Sequence, residues 1–161
     1  MSKTTNHVKF ASWIAVILWM ALIFYLSHQP SSVSSGLSSG LLMSILNRVE
    51  GIIPFEGLDM GTLHHLFRKS AHFIAYLILG MLCFNALKKS YPHAVKSATL
   101  AFLICVLYAI SDETHQLFIP GRSGEVRDVF IDSLGSITGI SIYYMIAQLK
   151  KIVSSTSNEE A

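Results

Sequence analysis

The sequence predicts an all-α integral membrane protein, built as a bundle of four transmembrane helices with a short interfacial helix in the first loop. Three observations carry that class. Hydrophobic residues make up 52% of the 161-residue chain and charged residues only 14%, against roughly 25% charged in average soluble domains. Mean hydropathy is +0.50. Apolar runs recur four times at lengths near the ~20 residues that a helix needs to cross a ~30 Å hydrocarbon core. The net charge of +2, with no long basic block, argues against a nucleic-acid partner. The length fits one domain over 1–152, with a polar tail over 153–161 that is expected to be disordered.

The first run, Phe10 to Leu26 (FASWIAVILWMALIFYL), follows a basic start as a signal peptide does. It is too long for a typical signal core and no A-x-A site follows, so it reads as a retained span. Trp13 and Tyr25 suit an aromatic belt, and Pro30 ends the helix. Ser31 to Gly40 is rich in Ser and Gly and reads as a loop. Leu37, Leu41, Leu42, Ile45, Leu46 and Val49 then recur at helical spacing. They predict a short amphipathic helix, either along the membrane interface or packed on the bundle. Pro54 to Gly61 is a connection, and Asp59 or Thr62 is the candidate cap of the next helix.

That helix has its apolar body over Ala71 to Leu87, with Arg68, Lys69 and His72 at its start and Lys88, Lys89 and Pro92 at its end. The third span, Lys96 to Ser111, continues into DETHQ. The fourth, Val129 to Leu149, carries Gly135 and Gly139, a spacing that lets helix backbones approach closely in lipid. Cys83 and Cys105 lie inside apolar runs, form no CxxC, and read as small buried hydrophobes.

Four spans divide the charges. One side holds Lys3, Lys9, Lys88, Lys89, Lys96, Lys150 and Lys151, with Glu159 and Glu160 its only acids. The other holds Arg48, Arg68, Lys69, Arg122 and Arg127 with every remaining carboxylate. The positive-inside rule makes the lysine side, and both termini, cytoplasmic. His28 and Gln29 end span one, and Arg68, Lys69 and His72 begin span two. Asp112, Glu113, His115 and Gln116 end span three, and Asp128 and Asp132 begin span four. All four groups are therefore expected at the extracytoplasmic ends of the helices.

Asp112 shares a helix face with His115 (i,i+3) and Gln116 (i,i+4), whereas Glu113 points about 100° away. Asp128, Asp132 and Ser136 form another such row. Ionisable residues inside a membrane mark a functional site by default. Four readings are open. The carboxylates pair with Arg68, Lys69 and Arg122 as a structural clasp. The same cations bind a phosphorylated or peptidyl head group. Glu113 or His115 acts as general base with His72 as partner. His72, Asp112, Glu113 or His115 holds a metal, although no HExxH is present and D-E-x-H fixes no known geometry. No cofactor or metal is assigned from the sequence. His64 and His65 read as interfacial surface, and Ser111 and Ser123 lack the context of a serine nucleophile.

The motifs SDETHQLFIPGR, VRD and DSLGSITG, with LSHQP after span one and RKSAHFIAYLILG at span two, resemble the VanZ-like family of bacterial membrane proteins. The resemblance runs from span one to span four. Matched by position, the family's polar residues fall on Lys69, His72, Tyr76, Asp112, Glu113, His115, Gln116, Arg122 and Asp128, with glycines at Gly135 and Gly139. Two positions depart from the family pattern. Ala75 stands where members often have Glu, and Asp132 stands where they often have Asn. The resemblance implies a multi-pass protein of the bacterial plasma membrane linked to low-level resistance to glycopeptides, teicoplanin above all. Its expected partners are membrane lipids and a cell-wall precursor or lipid head group. Whether it binds that group or modifies it as an enzyme stays open.

Overall fold

Helix formation follows the apolar runs, and local capping sets where one of the helices begins. The computed structural model describes residues 3–49, 59–91 and 93–159. Among these residues the chain is helical and turn, without strands: α1 (Lys3–Ser27), α2 (Ser31–Val49), α3 (Met60–Lys88), α4 (Ala94–Gln116) and α5 (Val126–Glu159). At the start of α3 the Asp59 carboxylate accepts from the Gly61 and Thr62 amides at 3.2 and 2.9 Å, satisfying donors that the helix leaves free. The Thr62 hydroxyl adds a third bond at 2.7 Å. These bonds hold the Asp59 carboxyl below its ordinary range. Residues 54–58 of the expected connection, and Pro92, lie outside the described residues.

Among the described residues, four helices are long and apolar enough to cross a membrane: Asn6–Ser27, Met60–Lys88, Ala94–Gln116 and Val126–Ile152. Their outer faces carry exposed apolar side chains such as Ile17, Leu18, Leu107, Phe130 and Leu134. A water-soluble protein could not carry so many without aggregating, and a lipid-facing bundle requires them.

α3 is the hub and packs on every other helix. It buries Tyr76, Leu79, Gly80, Cys83, Phe84, Ala86 and Leu87. α4 buries small residues at four-residue intervals, Ser97, Ala101, Cys105 and Ala109. Both cysteines are free and buried, in keeping with their apolar surroundings. The seam between α3 and α5 is closer still. A Cβ on Gly135 would lie 2.3 Å from the Phe73 carbonyl oxygen, and one on Gly139 would lie 2.0 Å from that of Leu77. On the α3 side, a Cβ on Gly80 would meet the Ser136 carbonyl oxygen at 2.5 Å.

Two expectations are corrected. Ser31 to Gly40 is helix rather than loop, so α2 begins directly after Pro30. The serines that suggest a loop instead bond back along the helix: Ser35 to the Ser31 carbonyl and Ser39 to that of Ser35 at 2.7 Å. The Ser31 amide donates to the Pro120 carbonyl at 3.3 Å, which ties the start of α2 to the turn after α4. The tail expected to be disordered from 153 is helical as far as Glu159, and Ser154 and Ser155 donate to the Lys151 and Ile152 carbonyls at 2.9 and 2.7 Å.

Candidate functional site

Contacts at the two ends of the bundle fix the helix directions. At one end Lys89, just after α3, donates to Ser12 of α1 at 2.5 Å, and Tyr143 of α5 donates to Asn85 of α3 at 2.7 Å. At the other, the end of α1, the start of α3, the end of α4 and the start of α5 come together. Asp112, Glu113, Asp128 and Asp132 are all at most 5% exposed there. An acid buried within lipid costs about 2.5–3.5 kcal/mol at a helix centre unless it is paired, so the partners of each decide what the site can do.

Lys69 reaches from α3 to α5. Its ammonium donates to Asp128 and, at 3.0 Å, to Glu125. The Lys69 bond holds the Glu125 carboxyl below its ordinary range. One turn further along α3, His72 Nδ1 faces Asp132 Oδ1 at 3.5 Å, an ion-pair distance longer than a hydrogen bond. Neither Asp132 oxygen has a hydrogen-bond partner. His72, Glu113 and Asp128 bring one ligand atom each to within 4.8 Å of one another.

On α4 the expected shared face of Asp112 and Gln116 is found, but His115 does not join it. Gln116 gathers both acids, donating to Asp112 at 3.4 Å and to Glu113 at 2.9 Å. The second Glu113 oxygen accepts the Glu125 amide at 2.8 Å. His115 points elsewhere, stacked on His28 with Nε2 3.0 Å from its Nδ1, and packed on Phe24. Residues two apart on a helix differ by about 200°, so Glu113 and His115 serve different faces. Glu113 and His72 are the pair that meets, and His115 does not join them.

Arg122 also differs from expectation. Among the described residues it pairs with no carboxylate. Its guanidinium donates to the Gln29 and Leu26 carbonyls, both at 3.1 Å, and to Gln116 Oε1 at 3.3 Å. Burial, and then the nearby Arg68 charge, lower its pKa from the ordinary value. An arginine remains protonated throughout, so it caps the free carbonyls of α1 with positive charge. Gly121, just before it, has φ 73°, a conformation that favours glycine.

Between α1, α2 and α3 lies a cavity of about 260 Å³, with Asp112 and Arg122 also lining it. Ile23, Leu26, Leu37, Leu41 and Phe67 give it apolar walls. Arg68, His72, Tyr76 and Ser27 add polar groups. Ser27 Oγ, Arg68 Nε, Tyr76 OH and Asp112 Oδ1 are buried and have no hydrogen-bond partner among the described residues. The carbonyl of Ala75, which also lines the cavity, accepts the Trp19 indole N–H at 2.9 Å.

Two participants escape a reading of the sequence. Glu125 shows only as an acid just before an apolar run, the usual mark of a helix start. Ser27 shows no signal at all, since a serine at the end of a span is common.

Fold and cluster together define a multi-pass membrane protein whose spans bury a group of ionisable residues at one end of the bundle. The chain belongs to the VanZ/LLP1 family, whose family model matches residues 12–148. No curated protein and no solved structure matches it.

Proposed function

We propose that the protein binds the anionic head group of an envelope lipid, or of a lipid-linked cell-wall precursor, at the outer face of the bacterial plasma membrane. The observation that carries this reading is the convergence of four unpaired buried polar atoms, on Ser27, Arg68, Tyr76 and Asp112, on one cavity. Buried polar groups left unpaired are costly, so a ligand that pairs them is favoured. Arg68 and Arg122 supply positive charge for a phosphate, and Asp112 supplies an acceptor for a hydroxyl or ammonium. The apolar walls suit an acyl or prenyl chain. The lysine bias of the opposite end supports an outward-facing site with both termini cytoplasmic. Holding a wall precursor there would lower susceptibility to glycopeptides, teicoplanin above all, because those drugs act on precursor peptides outside the membrane.

The test is the lipid that accompanies the purified full-length chain. Mass spectrometry is expected to show one anionic lipid enriched over the bulk membrane. Arg68→Gln should reduce that enrichment by roughly 10–100-fold, the loss of one charge-assisted bond. No enrichment, or enrichment indifferent to Arg68→Gln and Tyr76→Phe, would sink the reading. A second reading, an enzyme that modifies the lipid, is favoured by the approach of His72 to Glu113 and Asp128. It requires a chemically altered lipid in cells that carry the protein, and a retained but unaltered one excludes it.

A further inference from the structure

The cavity leaves the deeper part of the cluster unused. His72, Glu113 and Asp128 each offer a ligand atom, all within 4.8 Å of one another. Ligand atoms about 2.0–2.2 Å from one shared cation lie at most about 4.4 Å apart. A small side-chain adjustment would bring all three onto one ion.

Acidic residues that lie close together do not by themselves make a metal site, but two further observations point to a ligand. Asp132 is fully buried beside the His72 ring, and neither of its oxygens has a hydrogen-bond partner. The local charge is also unbalanced. Asp112, Glu113, Asp128 and Asp132 are buried. Of these four, among the described residues, ion pairs reach only Asp128, from Lys69, and Asp132, from His72 when its ring is charged. Glu113 and Asp112 have no cationic partner within that range.

We propose that His72, Glu113 and Asp128 bind one divalent transition cation, Zn²⁺ or Mn²⁺, with Asp132 orienting the His72 ring. The cation would offset two of the buried carboxylate charges that Lys69 leaves uncompensated, and a ligating imidazole stays neutral. Glu113 is already held in place, one oxygen by Gln116 and the other by the Glu125 amide. Each of those oxygens keeps a second lone pair for a metal. Asp132 behind His72 is the arrangement in which a carboxylate fixes the ring of a ligating histidine. The imidazole selects against Mg²⁺ and Ca²⁺, which prefer oxygen alone. Three protein ligands leave a coordination position open. The proposal does not depend on the head-group reading, because its test counts metal and not lipid.

The full chain, prepared without a polyhistidine tag, is stripped with EDTA and titrated in detergent with ZnCl₂, MnCl₂ and MgCl₂. Bound metal is counted by plasma mass spectrometry, and unfolding temperature is followed in parallel. One Zn²⁺ or Mn²⁺ per chain is expected, with a rise in unfolding temperature on addition. Glu113→Gln and His72→Ala should abolish stoichiometric binding, and His64→Ala should leave it intact. Asp132→Asn keeps all three ligands and is expected to weaken binding about 10–100-fold. It decides the matter should a ligand variant fail to fold. Wild-type protein that takes up neither Zn²⁺ nor Mn²⁺, or only Mg²⁺, overturns the proposal. So does binding that none of Glu113→Gln, His72→Ala and Asp132→Asn weakens.

Discussion

Arg122 shows how a single side chain can tie separate helices together. Its planar fork reaches the Leu26 and Gln29 carbonyls at the end of α1 and the Gln116 side chain at the end of α4. Lysine carries the same charge but cannot present several donors in one plane. Arg122→Lys should therefore lower stability by about 1–3 kcal/mol, the loss of one or two bonds to a charged donor. Thermal unfolding in detergent reads this directly, and an unaltered midpoint would mean that only the charge matters. The sequence marks Arg122 as a cation near carboxylates and suggests an ion pair. Its actual acceptors are mostly backbone carbonyls of a helix nearly a hundred residues earlier, and backbone acceptors leave no trace in residue identity.

At the scale of the element, the α3–α5 seam governs how closely the site can close. Lys69 and His72 on α3 meet Asp128 and Asp132 on α5 where the two backbones approach within glycine distance, at Phe73 and Gly135 within the next turn and again at Leu77 and Gly139. Gly139→Ala would put a methyl 2.0 Å from the Leu77 carbonyl oxygen, a backbone atom that cannot turn aside. The helices must separate, and a loss of at least about 1–3 kcal/mol is expected from such overpacking. Gly36→Ala on α2 is the internal control, because a Cβ there meets nothing within 4 Å. Helix propensity alone should make that change neutral or stabilising by up to about 1 kcal/mol. If both variants unfold at the same temperature, the seam is not what holds the bundle closed. The spacing of Gly135 and Gly139 was legible as a packing device, because four-residue intervals stack on one helix face. Gly80 was not, since a lone glycine has no spacing to read. α2 was half legible for a related reason. Its apolar period begins at Leu37, whereas the serines before it favour a loop by composition and form helix only once their hydroxyls bond back to the preceding turn.

At the scale of the whole molecule, the meeting of four helix ends follows from hydropathy alone. Four spans joined in series must alternate, so the end of α1, the start of α3, the end of α4 and the start of α5 share one face. What hydropathy cannot supply is rotation about each helix axis. That is why Glu113 turned toward His72, while His115 turned away to His28. The same alternation puts Lys9, Lys88, Lys89, Lys96 and Lys150 opposite the cluster, and the orientation proposed above, from the positive-inside rule, turns that end to the cytoplasm. A fluorescent reporter fused after Ala161 should therefore be bright, and alkaline phosphatase fused at the same point inactive. A cysteine introduced at Ser123, in the turn between α4 and α5, should react in intact cells with a membrane-impermeant maleimide, since that residue is exposed and native Cys83 and Cys105 are buried. The opposite pattern would turn the cluster toward the cytoplasm. It would remove the outer-face head-group reading while leaving the metal proposal standing, because the four carboxylates would still be buried together whichever way the bundle faces.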